Sequence, residues 1–173
     1  MRAARRFILG NTVKIDIKAK YPAPTAVVLK MFMDRAFHEK KMGVLGVTKF
    51  KVIEHDAKGD DFRIKIERRV PLAPPGVVSK FVPADATVVS EERWNKATKT
   101  GKVKVEPQGI PVEISSSVRF ADDAQGCTIT YAFDINARVP LVGGTLEKFI
   151  ASDMEKKFAD EAKAAATLLG PYR

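Results

Sequence analysis

The chain is 173 residues long, carries a formal net charge of +9, and is 45% hydrophobic and 29% charged. That length is about one domain with room for a real core, and the balance of apolar and charged residues excludes a disordered chain. No apolar run approaches the roughly 20 residues of a spanning helix, and the apolar stretch in "MRAARRFILGN" falls short of a signal-peptide core of roughly 7 to 15 residues, so the expectation is a cytoplasmic protein. The lone cysteine, Cys127, excludes an internal disulfide and fits a reducing compartment.

Taken in chain order, "NTVKIDIKAKY" comes first: Val13, Ile15, Ile17 and Ala19 alternate with Lys14, Asp16, Lys18 and Lys20, the period of a half-buried strand. Pro22 and Pro24 close it, Pro24 or Thr25 opens a helix, and Asp34 caps a second short helix that Gly43 and Gly46 end. "VTKFKVIEH" and "FRIKIERRV" then predict a hairpin around "DAKGDD", with Phe62, Ile64 and Ile66 opposite Arg63, Lys65 and Glu67. In "PLAPPGVVSKFVPAD", Pro75 opens a helical turn, and Val77, Val78, Phe81 and Val82 have the spacing of a short amphipathic helix. "TVVSEERWN", "GKVKVEP", "VEISSSVRF" and "CTITYAFDINARV" follow as strands, separated by the turn signals "KATKTG", "QGIP" and "DDAQG". In the last of them Cys127 shares a face with Ile129, Tyr131, Phe133 and Ile135, which predicts a buried structural thiol. The final element, from about Gly143 to Leu169, reads as a helix of roughly 25 residues and about 38 Å. Leu146, Ile150, Met154, Phe158 and Ala162 make its apolar stripe.

Catalytic signatures are missing. There is no G-x-S-x-G elbow, H-E-x-x-H, phosphate-cradling glycine loop or cysteine pair of metal spacing. His38 and His55 fall on separate elements, so no metal site and no cofactor is expected. "EERW" puts Glu91 and Arg93 on one strand face and Glu92 and Trp94 on the other, and the alternation leaves open which face is inward. The lysines of "KKMGVLGVTKFK" and "KATKTGKVKVE" read as solvated edges that block aggregation. A nucleic-acid surface interleaves basic residues with exposed aromatics, and here the aromatics fall mostly on apolar faces. That argues against a nucleic-acid partner and leaves an RNA-binding module, or weak contact with an anionic membrane surface, as an outlying alternative.

One strand, two short helices, about six antiparallel strands and a long C-terminal helix make an α+β domain in helix-grip order. The stretches "YPAP", "DRAFHEKKMGVLG", "VIEH", "ERW" and "VPLVGGTLEKFI", in this order, resemble the START-like superfamily (SRPBCC, birch-pollen-allergen-like), and within it an uncharacterised bacterial family of unknown function. The resemblance spans residues 12–169 as a single domain, leaving residues 1–11 as a basic N-terminal extension and 170–173 as a C-terminal tail. It implies a curved antiparallel sheet wrapped around the C-terminal helix, with a hydrophobic cavity between them.

That resemblance points to a noncatalytic protein that binds, transports or sequesters a hydrophobic small molecule or lipid. Ile114, Val118, Phe120, Tyr131, Phe133, Leu146, Ile150, Met154 and Phe158 are the expected cavity wall, although the same side chains suit a filled core equally well. Gly143 and Gly144, through backbone freedom, and Val77, Val78, Phe81 and Val82, as an apolar cover, are the expected movable rim. Close packing of the helix start against a strand is the alternative role for the glycines. The resemblance also leaves open an enzyme of cyclase or hydrolase type, which needs Glu91, Arg93 and Tyr131, or Ser115 and Ser117, to converge in the cavity.

Overall fold

The structure is a computed structural model that describes residues 7–8 and 12–173. The remainder of the expected N-terminal extension lies outside the described residues. In chain order the elements are β1 (Phe7–Ile8), β2 (Val13–Tyr21), α1 (Thr25–Phe32), α2 (Arg35–Val44), β3 (Phe50–Lys58), β4 (Asp61–Pro71), β5 (Asp85–Asn95), β6 (Thr100–Pro107), β7 (Val112–Asp123), β8 (Gly126–Ala137) and α3 (Gly143–Thr167). Seven long strands and the two-residue β1 form one curved antiparallel sheet in the order β1-β2-β8-β7-β6-β5-β4-β3. The expected helix-grip architecture is what the chain adopts.

Strand alternation decides which face is interior. In β2 and β8 the register pairs Val13 with Ile135, Ile15 with Phe133 and Ile17 with Tyr131, so two apolar rows lie side by side. Cys127 is buried at the end of that row and accepts a hydrogen bond from the Thr25 hydroxyl at 3.3 Å. Gly126 begins β8 at φ +140°, and a Cβ there would lie 2.2 Å from the Tyr21 carbonyl oxygen. Only glycine lets the two strands close that tightly.

The two short helices are capped differently. Asp34 caps α2 as expected, accepting from the Ala36 amide at 2.9 Å. It also accepts from the Tyr172 hydroxyl at 2.7 Å, so the C-terminal residues dock beside α2. The start of α1 has no capping side chain of its own. Its Thr25 amide instead donates to the Asp122 carboxylate of β7 at 2.7 Å. That bond, with the Thr25 side chain and Lys99, lowers the Asp122 carboxyl to about 2.

Two local expectations are corrected. The hairpin turn is shorter than "DAKGDD": β3 runs on to Lys58, and Gly59 turns the chain at φ +58°. Residues 76–82 form successive turns, with Val78 N–H donating to the Pro75 carbonyl and Phe81 N–H to Val78, and not a helix. Prolines at 75 and 83 bracket this segment, and a run that short cannot offset helix nucleation. Val78 and Val82 are buried while Val77 is 55% exposed, so the four do not share one apolar face.

Deep in the interior, rings fill the space. Phe32 sits 5.9 Å from Tyr21, 5.1 Å from Phe37, 5.9 Å from Trp94 and 6.4 Å from Phe120, centroid to centroid. His38, fully buried, stacks on Phe62. Along the opposite side α3 lies against β2 and β8. The buried Glu147 carboxylate accepts from the Ala137 amide at 2.8 Å, which ties the helix start to the end of β8.

Candidate functional site

A cavity of about 120 Å³ separates α3 from β4, β5, β6 and the inner ends of β2 and β8. Its walls are the inward rows of the strands. On β4 that row is Phe62, Ile64, Ile66, Arg68 and Val70, and on β5 it is Ala86, Val88, Ser90, Glu92 and Trp94. The face left open by "EERW" is thereby decided: Glu92 and Trp94 point inward. Glu91 lies on the outer face, where Arg63 at 3.1 Å and Arg93 at 2.5 Å bond its carboxylate.

Of the nine expected wall residues, Ile114, Tyr131, Ile150, Met154 and Phe158 line the cavity. Phe120 packs into the ring cluster, 5.0 Å from Trp94, and Phe133 stacks behind Tyr131 at 6.0 Å. Leu146 is fully buried nearer the helix start, and Val118 borders a separate depression beside Trp94 and Gly101.

Among the expected rim residues, Val82 lines the cavity and the others do not. Gly143 and Gly144 border a different surface depression, with Pro140, Leu141 and Lys148. Gly143 itself lies about 9 Å back along α3 from Phe149, the first helix residue at the cavity, at 1.5 Å per residue. Neither glycine has a positive φ; the residue that turns the chain into α3 is Leu141, at φ +67° and fully exposed. A Cβ on Gly143 would lie 3.1 Å from the Ala137 carbonyl oxygen, whereas one on Gly144 meets nothing within 4 Å.

The inner end of the cavity is charged. Lys41 Nζ lies 3.2 Å from Glu161 Oε2, and Arg68 Nη2 lies 2.8 Å from Glu161 Oε1, so one carboxylate joins α2, β4 and α3. Burial alone would raise the Glu161 carboxyl, but the charges and hydrogen bonds of Lys41 and Arg68 outweigh it and hold it down to about 2. Glu92 faces the same space, and its carboxyl is pushed up, chiefly by burial, with Lys41 opposing and Glu161 adding to the rise. Burial pushes the Tyr131 phenol well up. At the solvent side, Lys157 of α3 is paired with Asp153 and also donates to the Pro71 carbonyl at 3.2 Å. Leu72, Pro107 and Phe149 are the partly exposed apolar residues there.

Sequence reasoning left the face of Glu92 open and missed Lys41, Arg68 and Glu161. The signal was present: Arg68 falls on the same face as Phe62, Ile64 and Ile66, and Glu161 lies seven residues beyond Met154 on the helix stripe. A charged residue where periodicity calls for an apolar one marks an inward charge.

The residues named for an enzyme do not converge. Glu91 and Arg93 pair on the outer face, and Ser115 and Ser117 are exposed. His38 is not at the cavity: its Nε2–H donates to the Phe32 carbonyl at 2.7 Å, and burial, with Lys41 adding, depresses it to about 3. Among the described residues no group of three or more His, Cys, Asp or Glu is arranged to hold a metal ion, and no helix is long and apolar enough to cross a membrane.

The comparisons with known proteins bear on fold and family. Norcoclaurine synthase from Thalictrum flavum matches with a TM-score of 0.61 at 13% identity, over 98% of this chain and 96% of that one. Ara h 8.0201 matches with 0.61 at 12%, over 91% and 97%. The Zhui aromatase/cyclase from Streptomyces sp. R1128 matches with 0.58 at 12%, over 91% and 92%. At such identities the likeness shows the fold alone, the helix-grip fold shared with these START-like, birch-pollen-allergen-like structures. No curated protein matches the sequence. A family model described as "Protein of unknown function (DUF2505)" matches residues 16–169, which is nearly the whole chain, and the protein belongs to that family.

Proposed function

We propose that the protein binds a small amphipathic molecule, with the hydrophobic part held between α3 and the sheet. The observation that carries this reading is a cavity walled by Tyr131, Ile150, Met154 and Phe158 at the place where the helix-grip fold separates helix from sheet. The room available sets the scale. At about 120 Å³ it is close to the roughly 150 Å³ of a dry cavity that accepts benzene. It is well below the roughly 300 to 1,000 Å³ of pockets for drug-sized ligands. A ligand of one ring or a short chain fits the closed form, while a lipid requires residues 72–84 or α3 to move. The partly exposed Leu72, together with the lysine bridge from Lys157 to Pro71, puts that segment at the solvent side of the cavity.

Native mass spectrometry of the purified protein, followed by solvent extraction, tests the reading. Binding predicts a copurified apolar mass or a saturable titration with small aromatic probes. An apoprotein that takes up none of them would overturn it. One observation favours a catalytic variant of the same reading, in line with the synthase and aromatase/cyclase names of two similar structures. Glu92 and Tyr131 both face the cavity, and burial raises the pKa of each. Glu92→Gln separates the two, since it leaves binding within a few fold and removes turnover only if chemistry occurs.

A further inference from the structure

Three charged side chains meet at the cavity's inner end, each on an element whose apolar face should have continued there. Lys41 and Arg68 bring two positive charges, and Glu161 supplies one committed negative charge, one oxygen to each cation. The side chains are only 6%, 18% and 18% exposed, so water does little to screen the imbalance. Among the described residues Arg68 is incompletely satisfied: its Nε–H is buried without a hydrogen-bond partner, and Nη1 meets only Met42 Sδ at 4.0 Å. A guanidinium presents five donors in a planar fork that matches a carboxylate. Stability does not account for such a cluster, because replacing a buried ion triad by apolar residues of similar volume is often neutral or stabilising.

Resting on the reading that the cavity is a ligand site, we propose that its charged end receives the carboxylate of a small monocarboxylic acid. The acid's apolar body, one ring or a short chain, lies against Tyr131, Ile150 and Phe158. The head would complete the charge balance that Lys41 and Arg68 leave open beside Glu161. Glu92 faces the same space, its carboxyl raised chiefly by burial, and a protonated carboxyl there donates to the head where an ionised one repels it. A cationic head would instead meet two buried cations, and a neutral alcohol would leave the excess charge unmatched. The size limit follows from the 120 Å³ volume, which holds a phenyl ring and not an acyl chain of lipid length.

The test compares three probes that differ only at the head: 3-phenylpropanoate, 3-phenylpropan-1-ol and 3-phenylpropylammonium. Each is titrated into the isotope-labelled full chain at neutral pH and followed by amide and methyl chemical shifts. The proposal predicts that the carboxylate binds at least about tenfold tighter than the alcohol, a difference of about 1.4 kcal/mol, with the ammonium weakest and the largest shifts at Ile66, Ile150 and Met154. Arg68→Met should bring the carboxylate to within about twofold of the alcohol, while the alcohol itself changes little. Arg68→Lys, which keeps the charge and removes the fork, should fall between, and the wild-type comparison stands by itself if either variant fails to fold. Equal binding of acid and alcohol, tighter binding of the ammonium, or shifts confined to surface lysines would overturn the head-group assignment and leave the cavity reading intact. If none of the three probes binds, both fall together.

Discussion

The interior has two halves built on opposite principles. Around Phe32 the space is filled by Tyr21, Phe37, Trp94 and Phe120, ring against ring at 5.1 to 6.4 Å. A short way along the same sheet, Lys41, Arg68 and Glu161 border a cavity whose remaining wall is mostly apolar, with Ser90, Glu92, Asp153 and Lys157 among it. Filled aromatic packing gains contact and hydrophobic energy directly. A buried ion triad beside empty space gains neither and bears a desolvation cost. The first half therefore supports the fold, and the ligand proposed above is what would give the second its role.

The largest expected effect is in the filled half. Phe32→Ala should lower stability by about 3 to 5 kcal/mol, since the ring touches five aromatic partners and the site cannot collapse around the loss. A denaturation midpoint checks it, and a change below about 1 kcal/mol would mean the cluster is loosely packed.

Glu161→Leu should cost about as much, roughly 3 to 5 kcal/mol, for a different reason: it leaves Lys41 and Arg68 buried and unpaired. The two losses are told apart by rescue. Replacing the cations as well should recover the second loss and has no counterpart for the first.

Acid separates the halves again. His38 titrates at about 3 in the folded chain against an ordinary 6.5, so the unfolded chain binds more protons between those values. Its contribution is fully present above 6.5 and is lost as pH falls toward 3, by up to about 1.4 kcal/mol per pH unit. Glu161, at about 2 against 4.5, adds a second loss in the same direction below 4.5. Glu92 acts oppositely, because its raised carboxyl lets the folded chain hold a proton longer. Urea midpoints between pH 7.5 and 5 should fall for the wild type and stay nearly level for His38→Gln. Parallel curves would remove His38 from the account.

The smallest effects lie at the start of α3. Gly144→Ala should raise stability by about 0.5 to 1 kcal/mol, because its Cβ meets nothing within 4 Å and the helix gains a better former. Gly143→Ala should be neutral or destabilising, as its Cβ presses on the Ala137 carbonyl at 3.1 Å. Leu141→Gly should gain up to about 1 kcal/mol by releasing a non-glycine residue from φ +67°. If Gly144→Ala changes probe release from the cavity while leaving stability alone, the glycines regulate access despite their distance from it.

How much of this was legible in the sequence differs between the same two halves. Period-2 alternation in "KIDIKAK", "RIKIE" and "TITYAFDI" and the four-residue spacing from Leu146 to Phe158 lead directly to the sheet, the helix and the faces they bury. Those patterns depend on near neighbours only. The charged cluster joins residues 120 and 93 positions apart, and only the closed sheet brings them together. Periodicity could mark Arg68 and Glu161 as inward, but not that they meet each other. The helix expected at residues 76–82 failed for a local reason, the prolines on either side. The glycines expected at the rim border a separate depression for a distant reason, since Leu141 already makes the turn and the cavity lies farther along α3.

The claim that the charged half serves a ligand and not the fold is tested most directly by removing all of its charge at once. Lys41→Met, Arg68→Met and Glu161→Leu combined in one chain roughly conserve volume while removing the whole ion triad. Thermal and urea unfolding should show stability equal to the wild type or higher by about 1 to 4 kcal/mol, with any preference for a carboxylate probe abolished. A triple variant that loses several kcal/mol, or that still prefers the carboxylate, would contradict the account and make the cluster an ordinary part of the scaffold.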